Sequence, residues 1–235
     1  MQRDPHALTA NRLLRSLPTN ELRRVLGAGE TVDLAFAKML YTSNEPIEHV
    51  YFPLTGFVSL IMPVDASDSL EVGLVGNEGM LGLPLVLGVD FSPVHAVVQG
   101  AGSSLRLGAF AFRRELALCQ ALQRGIDRYI HVRLSELAQT AACTRFHVIE
   151  ARLARWLLMT QDRAHNRRFH ITQEFLAFML GVRRVGVTNA AHSLQKRRLI
   201  HYHRGNITVL DRRGLKAASC GCYLADRQSY RRVLG

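Results

Sequence analysis

The side chains best suited to binding a charged partner are the basic ones near the C-terminus. Residues 145–235 hold 18 of the 30 Lys and Arg but only 5 of the 19 Asp and Glu, which gives this part a formal charge of +13. Residues 1–144 carry −2. Such a one-sided excess of cations favours a polyanionic partner, because neutralisation of phosphates supplies most of the non-specific affinity of nucleic-acid-binding proteins.

The basic part contains a pattern typical of two helices joined by a tight turn. The first helix is predicted over residues 171–180, with Thr172 as its N-cap, because a threonine hydroxyl can accept from an unpaired backbone donor of the first turn. Gly181 can take the left-handed conformation that ends a helix sharply, and the second helix is predicted over residues 183–196. The apolar side chains expected in the small core are Phe175, Leu176, Met179, Leu180, Val185, Ala191, Leu194 and Leu199. The residues that then remain available to solvent or DNA are Arg183, Arg184, Gly186, Thr188, Asn189 and Ser193.

Two short apolar runs follow the second helix. Residues 199–202 and 207–210 are separated by Arg204, Gly205 and Asn206, which are turn-forming in this order. Alternating runs on either side of such a turn predict a β-hairpin. We therefore expect a wing beside the helix pair.

The N-terminal half has a different sequence pattern. Residues 11–17 and 20–26 have helical spacing and predict two short lead-in helices. From residue 31 to about residue 107, short apolar runs are punctuated by turn clusters, which predicts a small antiparallel β barrel or sandwich. The predicted strands include residues 50–52, 57–62, 70–75 and 95–98, and the predicted turns include Asp65-Ala66-Ser67-Asp68 and Gly100-Ala101-Gly102.

The region between these halves predicts a long helix. From about Phe110 the pattern is helical for some 50 residues, and a narrow seam of small and apolar side chains alternates between spacings of four and three. The members of the seam are Ile126, Ile130, Leu134, Leu137, Ala141, Thr144 and Val148. This spacing favours pairing of the helix with a copy of itself in a homodimer, and the alternative is a core helix packed on its own barrel.

Together these elements predict an α+β fold in three parts. Residues 1–118 form a sensor-like β roll with lead-in helices, residues 119–160 form a long dimerisation helix, and residues 161–235 form a winged helix-turn-helix domain. In this order the chain resembles the Crp/Fnr family of bacterial transcription regulators over about residues 12–215. The motifs that carry the resemblance are Ile171-Thr172-Gln173-Glu174, residues 180–188, Leu199-Ile200 and the glycine-rich residues 79–88.

The resemblance implies a homodimeric regulator that binds double-stranded DNA and contacts RNA polymerase. It places Arg183, Arg184, Thr188 and Asn189 at base-reading positions in the major groove. Arginine can donate two hydrogen bonds to guanine, and asparagine can pair with adenine, so the residue types suit this role. The residues expected at phosphates, where they fix the register without reading sequence, are Thr172, Ser193, Lys196, Arg197, Arg198 and Arg204.

The resemblance also implies an effector pocket in the β roll. Cyclic-nucleotide-binding members use a glutamate for the ribose and an arginine for the cyclic phosphate, whereas here the matching segments are residues 79–82 and 94–96. The cation is missing, and a buried phosphodiester without one would cost several kcal/mol, so cyclic AMP is not the expected effector. His95 either contacts an anion or packs beside its strand, and haem binding through His49 or His95 stays open. The candidate pocket residues are Gly79, Met80, Leu81, Gly82, Val94, His95 and Leu137.

The four cysteines do not predict a cofactor. Residues 1–118 contain no cysteine, which excludes the N-terminal iron–sulfur cluster of some family members. Cys220 and Cys222, with His201 and His203 upstream, match no standard zinc spacing, so no metal site is expected there. Cys119 and Cys143 lie on predicted helices and are expected to be small buried groups. We expect all four to be reduced thiols.

Other classes of function find little support in the sequence. It contains no phosphate loop, no GxSxG and no HExxH, so an enzyme is not expected. No apolar run approaches the roughly 20 residues of a membrane span and no signal peptide is recognised, which predicts a cytoplasmic protein. The alternative function is a ligand-binding signalling module whose basic domain engages RNA or a protein partner.

Overall fold

The computed structural model describes residues 9–64 and 69–235. The predicted turn at residues 65–68 lies outside the described residues. The described chain forms two compact units. The first holds the described residues up to Met62, residues 74–133 and Leu234, and the second holds residues 63–64 and 69–73, residues 134–233 and Gly235. None of the helices among the described residues is long and apolar enough to cross a membrane.

The first unit begins with the two expected lead-in helices, α1 (Arg12–Arg15) and α2 (Thr19–Gly27). The side chain of Asn11 caps α1 by accepting from the backbone amides of Leu13 and Leu14. Seven strands follow in chain order, of which β5 lies mostly in the second unit: β1 (Glu30–Leu34), β2 (Met39–Tyr41), β3 (His49–Pro53), β4 (Phe57–Pro63), β5 (Ser69–Val75), β6 (His95–Gly100) and β7 (Gly102–Gly108). They form one sheet of order β1-β7-β3 and another of order β2-β6-β4-β5.

Antiparallel pairing with one buried face explains why these segments become strands. In the first sheet Val50 pairs with Leu107 and Phe52 with Leu105, and all four side chains are buried in the core of the unit. Apolar residues at such alternate positions must share one face of a sheet, so their burial fixes the strand register. The antiparallel β roll predicted from the sequence is confirmed. Strands β1, β2 and β7 are additional to the strands that the sequence analysis names.

Three helices follow the β roll: α3 (Ala109–Leu118), α4 (Gln120–Phe146) and α5 (Ile149–Ala164). The predicted continuous helix over residues 119–160 is therefore interrupted after Phe146. Val148 has extended backbone angles (φ −66°, ψ 155°) and acts as the N-cap position of α5. The sequence carries no Gly or Pro here to mark the break. The predicted seam of small and apolar side chains continues to Val148 with the same spacing, although the side chain of Val148 is 71% exposed.

The second unit is built around α5. Its remaining elements are β8 (Arg168–His170), α6 (Gln173–Leu180), α7 (Arg184–Lys196), β9 (Ile200–His203), β10 (Asn206–Val209), α8 (Arg212–Ala218) and α9 (Cys222–Leu234). Strands β9 and β10 are the predicted wing, and β8 pairs with the free edge of β10 as a third, unpredicted strand. The core of the unit is formed mainly by Leu153, Leu157, Leu176, Val187, Leu194 and Ile207, all of which are buried.

Candidate nucleic-acid interface

The turn between α6 and α7 has the geometry that the sequence predicts. The hydroxyl of Thr172 accepts a hydrogen bond from the amide of Phe175 (3.1 Å), which caps the first helix. Gly181 ends the helix in the left-handed conformation (φ 60°, ψ 46°). A Cβ at Gly181 would also lie 2.9 Å from a methyl carbon of Leu70. The left-handed backbone favours glycine here, and a Cβ would in addition require the end of the Leu70 side chain to move.

One face of α7 fixes the helix to the rest of the unit. Val187, Ala190, Ala191 and Leu194 are buried against α5 and α6. A Cβ on Gly186 would lie 2.7 Å from the Cδ1 atom of Ile149, so the absence of a side chain allows α5 and α7 to approach closely. This packing decides which side chains of α7 are left on the opposite face.

The placement of Val185 corrects the predicted core. The sequence pattern places Val185 inside, but its side chain is 63% exposed, and Val187 is fully buried instead. Two residues correspond to about 200° of rotation around a helix, so Val185 and Val187 cannot share a face. The stripe that is buried starts at Val187 and continues at spacings of three and four. Ala191, Leu194 and Leu199 are buried as expected.

The exposed face of α7 carries the side chains predicted to read bases. Arg183 is the N-cap residue of α7, and Arg183, Arg184, Thr188 and Asn189 are all outside the buried stripe. The hydroxyl of Thr188 lies 2.9 Å from Oε1 of Gln173, to which it can donate. This contact links the first turn of α6 to the exposed face of α7 and leaves the hydroxyl oxygen of Thr188 able to accept from a partner.

The residues predicted at phosphates surround this face. Lys196, Arg198 and Arg204 are exposed, and Arg204 lies in the turn of the wing between β9 and β10. Arg197 is also exposed, but it forms an ion pair of 2.7 Å with Glu150. An exposed pair of this kind contributes only about 0.2–1 kcal/mol, so Arg197 can exchange Glu150 for a phosphate at low cost. Thr172 is exposed and Ser193 is half-buried.

Tyr202 holds the wing against the helix pair. Its backbone amide donates to Oε1 of Gln195 on α7 (2.6 Å), and its hydroxyl donates to the carbonyl of Ile171 before α6 (2.8 Å). Burial raises the pKa of Tyr202 to about 12, so the hydroxyl stays protonated and donates throughout the neutral range. Helices α6 and α7 and the wing are thus held together by side-chain hydrogen bonds as well as by their core.

The segment that carries these elements matches a known family. Residues 151–218 match the model of the Crp-like helix-turn-helix domain. No curated protein matches the chain.

Solved structures extend the likeness of fold to most of the chain. A transcriptional regulator of the crp/fnr family from Eubacterium rectale is 17% identical with a TM-score of 0.69, and the match covers 88% of this chain and 96% of that one. The c-di-GMP responsive regulator CLP of Xanthomonas campestris is 16% identical with a TM-score of 0.68 (82% and 99% covered). FixK2 of Bradyrhizobium japonicum is 15% identical with a TM-score of 0.69 (82% and 98% covered). The predicted Crp/Fnr-type fold, a β roll followed by a helix-turn-helix domain, is confirmed.

The candidate effector residues upstream of the Crp-like domain have structural contacts of their own. Met80 and Leu81 are buried, and the backbone of Leu81 pairs with that of Tyr51. Gly82 has a positive φ of 91° and begins a short 3₁₀ helix, Leu83–Leu87. Val94 and His95 are half-buried, and Nδ1 of His95 accepts a hydrogen bond from the amide of Ser43 (3.0 Å).

Leu137, the remaining candidate effector residue, is described within the second unit. It lies on α4, and its side chain is 40% exposed. An effector pocket formed by these residues is an expectation based on the resemblance and stays a prediction.

Three of the four cysteines lie together in the second unit. The thiols of Cys143 and Cys220 are 3.5 Å apart, and the Sγ atom of Cys222 is 3.5 Å from Nδ1 of His147. Hydrogen bonding with Cys220 lowers the pKa of Cys143 to about 4. Cys143 is buried as predicted, but it is a member of this cluster rather than an isolated apolar group.

The histidines that precede Cys220 and Cys222 in the sequence lie elsewhere in the second unit. His201 and His203 stack on each other on β9 of the wing, and neither is among the four clustered residues. The residue that sequence reasoning missed is His147, which follows Cys143 by four positions and therefore lies one helical turn further along the chain.

Sequence reasoning also missed two residues of the exposed face of α7. Val185 is assigned to the core by the sequence pattern, and His192 is absent from the predicted reading face. Both lie outside the buried stripe. A count of helical positions from the buried Val187 identifies them, because residues 185, 188, 189 and 192 share the opposite side of the helix.

Proposed function

We propose that this chain is a homodimeric transcription regulator that reads duplex DNA through α7. The observation that carries the proposal is the exposed face of α7, where Arg183, Arg184, Thr188 and Asn189 are accessible while the opposite stripe is buried. Arginine and asparagine at such positions provide the bidentate donors and acceptors that distinguish guanine and adenine in the major groove. Regulators of this fold are typically not enzymes, and no catalytic role is proposed.

The cations around α7 would provide affinity that does not depend on sequence. Lys196, Arg198 and Arg204 are exposed, and Arg197 is held only by an exposed pair. Thr172 at the start of α6 and Ser193 on α7 add hydroxyl groups that would donate to phosphates. Contacts of these residues to phosphates would fix the register of α7 on the duplex, and the base-reading residues would then select the site.

The homodimer is supported by the exposed apolar side chains of α4. Leu134 is 61% exposed and Leu137 is 40% exposed, and Ala141 lies four residues further on. Their spacing of three and four gives a row along one side of the helix, which is the pattern of a two-helix seam. In such a dimer two copies of α7 would meet successive major grooves about 34 Å apart on an inverted-repeat site.

The β roll would act as a sensor for an effector other than cyclic AMP. Residues 79–98 contain no Lys or Arg, so this segment offers no cation for a cyclic phosphate. His95, the candidate anion contact, already accepts a hydrogen bond from Ser43. We propose that the regulator acts in the cytoplasm, where bacterial DNA is, and that RNA polymerase is its further partner.

The test compares binding of the purified full chain to duplex DNA, single-stranded DNA and RNA in gel-shift assays at two salt concentrations. Selection of bound oligonucleotides supplies the preferred duplex. We expect an inverted-repeat duplex to be retained at the higher salt concentration, with single strands and RNA released. Failure to bind any duplex at low salt would overturn the proposal, and equal retention of RNA would favour the alternative signalling module.

A further inference from the structure

We propose that Cys143, His147, Cys220 and Cys222 form a binding site for a single Zn²⁺ ion. The four candidate ligand atoms, three thiol sulfurs and one imidazole nitrogen, all lie within 4.8 Å of one another. Cys143 lies in α4 and His147 just after its end, Cys220 lies just before α9 and Cys222 at its start, and all four belong to the second unit.

The local structure brings these side chains together. Cys143 lies on the last turns of α4, and the amide of His147 donates to the carbonyl of Cys143 (3.1 Å), so the two are separated by one helical turn. Cys220 precedes α9, and Cys222 is its first residue. Two short local arrangements, a Cys-x-x-x-His on a helix end and a Cys-x-Cys at a helix start, thus face each other.

The separations between ligand atoms suit one tetrahedral ion. Zinc binds sulfur at about 2.3 Å and imidazole nitrogen at about 2.0–2.1 Å, which places neighbouring ligands of a tetrahedron roughly 3.5–3.8 Å apart. The distances from Cys143 Sγ to Cys220 Sγ and from Cys222 Sγ to His147 Nδ1 are both 3.5 Å. The remaining pairs of ligand atoms lie within 4.8 Å, so side-chain shifts of about 1 Å or less would complete the coordination.

The donor set selects the type of metal. Thiolate and imidazole are preferred by zinc, whereas calcium and magnesium require oxygen ligands. All four ligands are protein groups, which is the arrangement of a structural rather than a catalytic zinc site. The three cysteines are buried, and the exposed His147 gives an ion a route of entry.

The surroundings support bound thiolates. The amide nitrogen of Gln139 lies 3.1 Å from the sulfur of Cys222, to which it donates. Arg155 and Arg152 lie close enough to Cys143 to interact with it electrostatically. Three thiolates and one Zn²⁺ carry a net charge of −1, so the guanidinium groups would balance the complex, and the amide would orient a ligand as outer groups of zinc sites commonly do.

The bound ion would connect the end of α4 to the start of α9. Helix α9 is also tied to α5 by the buried ion pair of Arg155 and Asp226 (2.7 Å), so the metal and this pair would fix the same helix within the second unit. Because such sites are not formed in the unfolded chain, zinc would stabilise the folded unit in proportion to its occupancy.

The first experiment measures metal content in the full chain purified under reducing conditions. We expect one zinc per chain in the wild type and in Cys119→Ser, whose cysteine is buried in the first unit outside the cluster. Cys143→Ser and Cys222→Ser should each retain less than a tenth of this amount. Iron in place of zinc, equal zinc in all variants, or no metal after refolding with added zinc would each overturn the proposal.

The second experiment tests whether zinc is lost from a variant that keeps its fold. His147 is exposed, so His147→Ala should leave the fold intact by circular dichroism while losing its zinc to a mild chelator at least tenfold faster than the wild type. Substitution of cobalt into the wild-type chain should give the intense visible bands of tetrahedral thiolate coordination. Octahedral cobalt spectra, or a Cys143–Cys220 disulfide found by mass spectrometry in the freshly purified reduced protein, would show that the cluster does not hold the ion.

Discussion

The indole Nε1 of Trp156 on α5 donates a hydrogen bond of 2.7 Å to the carboxylate of Glu71, and both side chains are buried. The two residues belong to the second unit although they are 85 positions apart. A buried indole N–H needs an acceptor, because leaving such a donor unpaired costs about 1–3 kcal/mol.

This relationship predicts different effects for two substitutions of Glu71. Glu71→Leu should lower the free energy of unfolding of the second unit by about 1–3 kcal/mol, since it removes the acceptor. Glu71→Gln keeps an oxygen at the same place and should cost less than half of that. Trp156 is the only tryptophan, so urea denaturation followed by its fluorescence reports this unit directly. Identical midpoints for the two variants would contradict the prediction.

A second prediction concerns Gly79 in the first unit. A Cβ there would overlap with the hydroxyl group of the fully buried Tyr129. Gly79→Ala should therefore destabilise the unit by about 1–3 kcal/mol through overpacking.

The matched control for this substitution is Gly125→Ala. Gly125 lies inside α4, and a Cβ built at this position would have no heavy atom within 4 Å beyond its own local backbone. Replacing a glycine inside a helix should stabilise the unit by about 0.5–1 kcal/mol. Thermal denaturation followed by circular dichroism measures the stability of both variants. A Gly79→Ala variant as stable as the wild type would contradict the prediction.

The helix-turn-helix could be predicted because its determinants are local. The cap at Thr172, the left-handed Gly181 and the hairpin turn at Arg204–Asn206 each depend on residues within a few positions of one another. The lead-in helices and the antiparallel roll likewise follow from local periodicity. These features appear in the structure close to the predicted boundaries.

The features that sequence reasoning missed depend on distant or weak signals. The break after Phe146 lacks a Gly or Pro, and β8 is only three residues long. The thiol cluster joins Cys143 to Cys220 across 77 positions, and this proximity arises only when α9 packs in the folded unit. Sequence spacing around Cys220 and Cys222 therefore suggests His201 and His203 as partners, and neither histidine belongs to the cluster.

For DNA binding, Arg184 and Lys196 should behave differently. Arg184→Ala should cost about 1–3 kcal/mol per half-site of the selected site and relax the preference at one base position in each half-site. Lys196→Ala should weaken all duplexes similarly and reduce the salt slope by about one per half-site, because it removes one phosphate contact from each subunit. Fluorescence anisotropy on selected and scrambled duplexes at several salt concentrations separates the two effects. Unchanged affinity of Arg184→Ala for the selected site would mean that another face of the domain reads DNA.

The exposure of Val185 predicts a contact with thymine. Apolar side chains in the major groove recognise the C5 methyl group, and Val185 lies beside Arg184 on the exposed face of α7. Replacement of one thymine per half-site by uracil should cost the wild type about 0.8 kcal/mol in each half-site, or about 1.6 kcal/mol for the dimer, because one methyl-sized group is lost per half-site. Val185→Ala should be insensitive to the same replacement. If a scan of uracil positions shows no difference between the two proteins, Val185 does not touch a thymine methyl.

The exposed apolar row of α4 predicts the effect of a charge on assembly. Leu137→Glu places a carboxylate in the proposed seam, where it would be desolvated against its symmetry copy, so the dimer dissociation constant should rise at least tenfold, or about 1.4 kcal/mol. Leu118→Glu is the control, because Leu118 is also exposed (58%) but lies on α3. Both leucines are exposed, so neither variant should unfold. Sedimentation equilibrium measures assembly, and affinity for the full inverted repeat should fall together with dimerisation because each half-site then binds alone. A Leu137→Glu protein that dimerises as tightly as Leu118→Glu would place the dimer interface elsewhere.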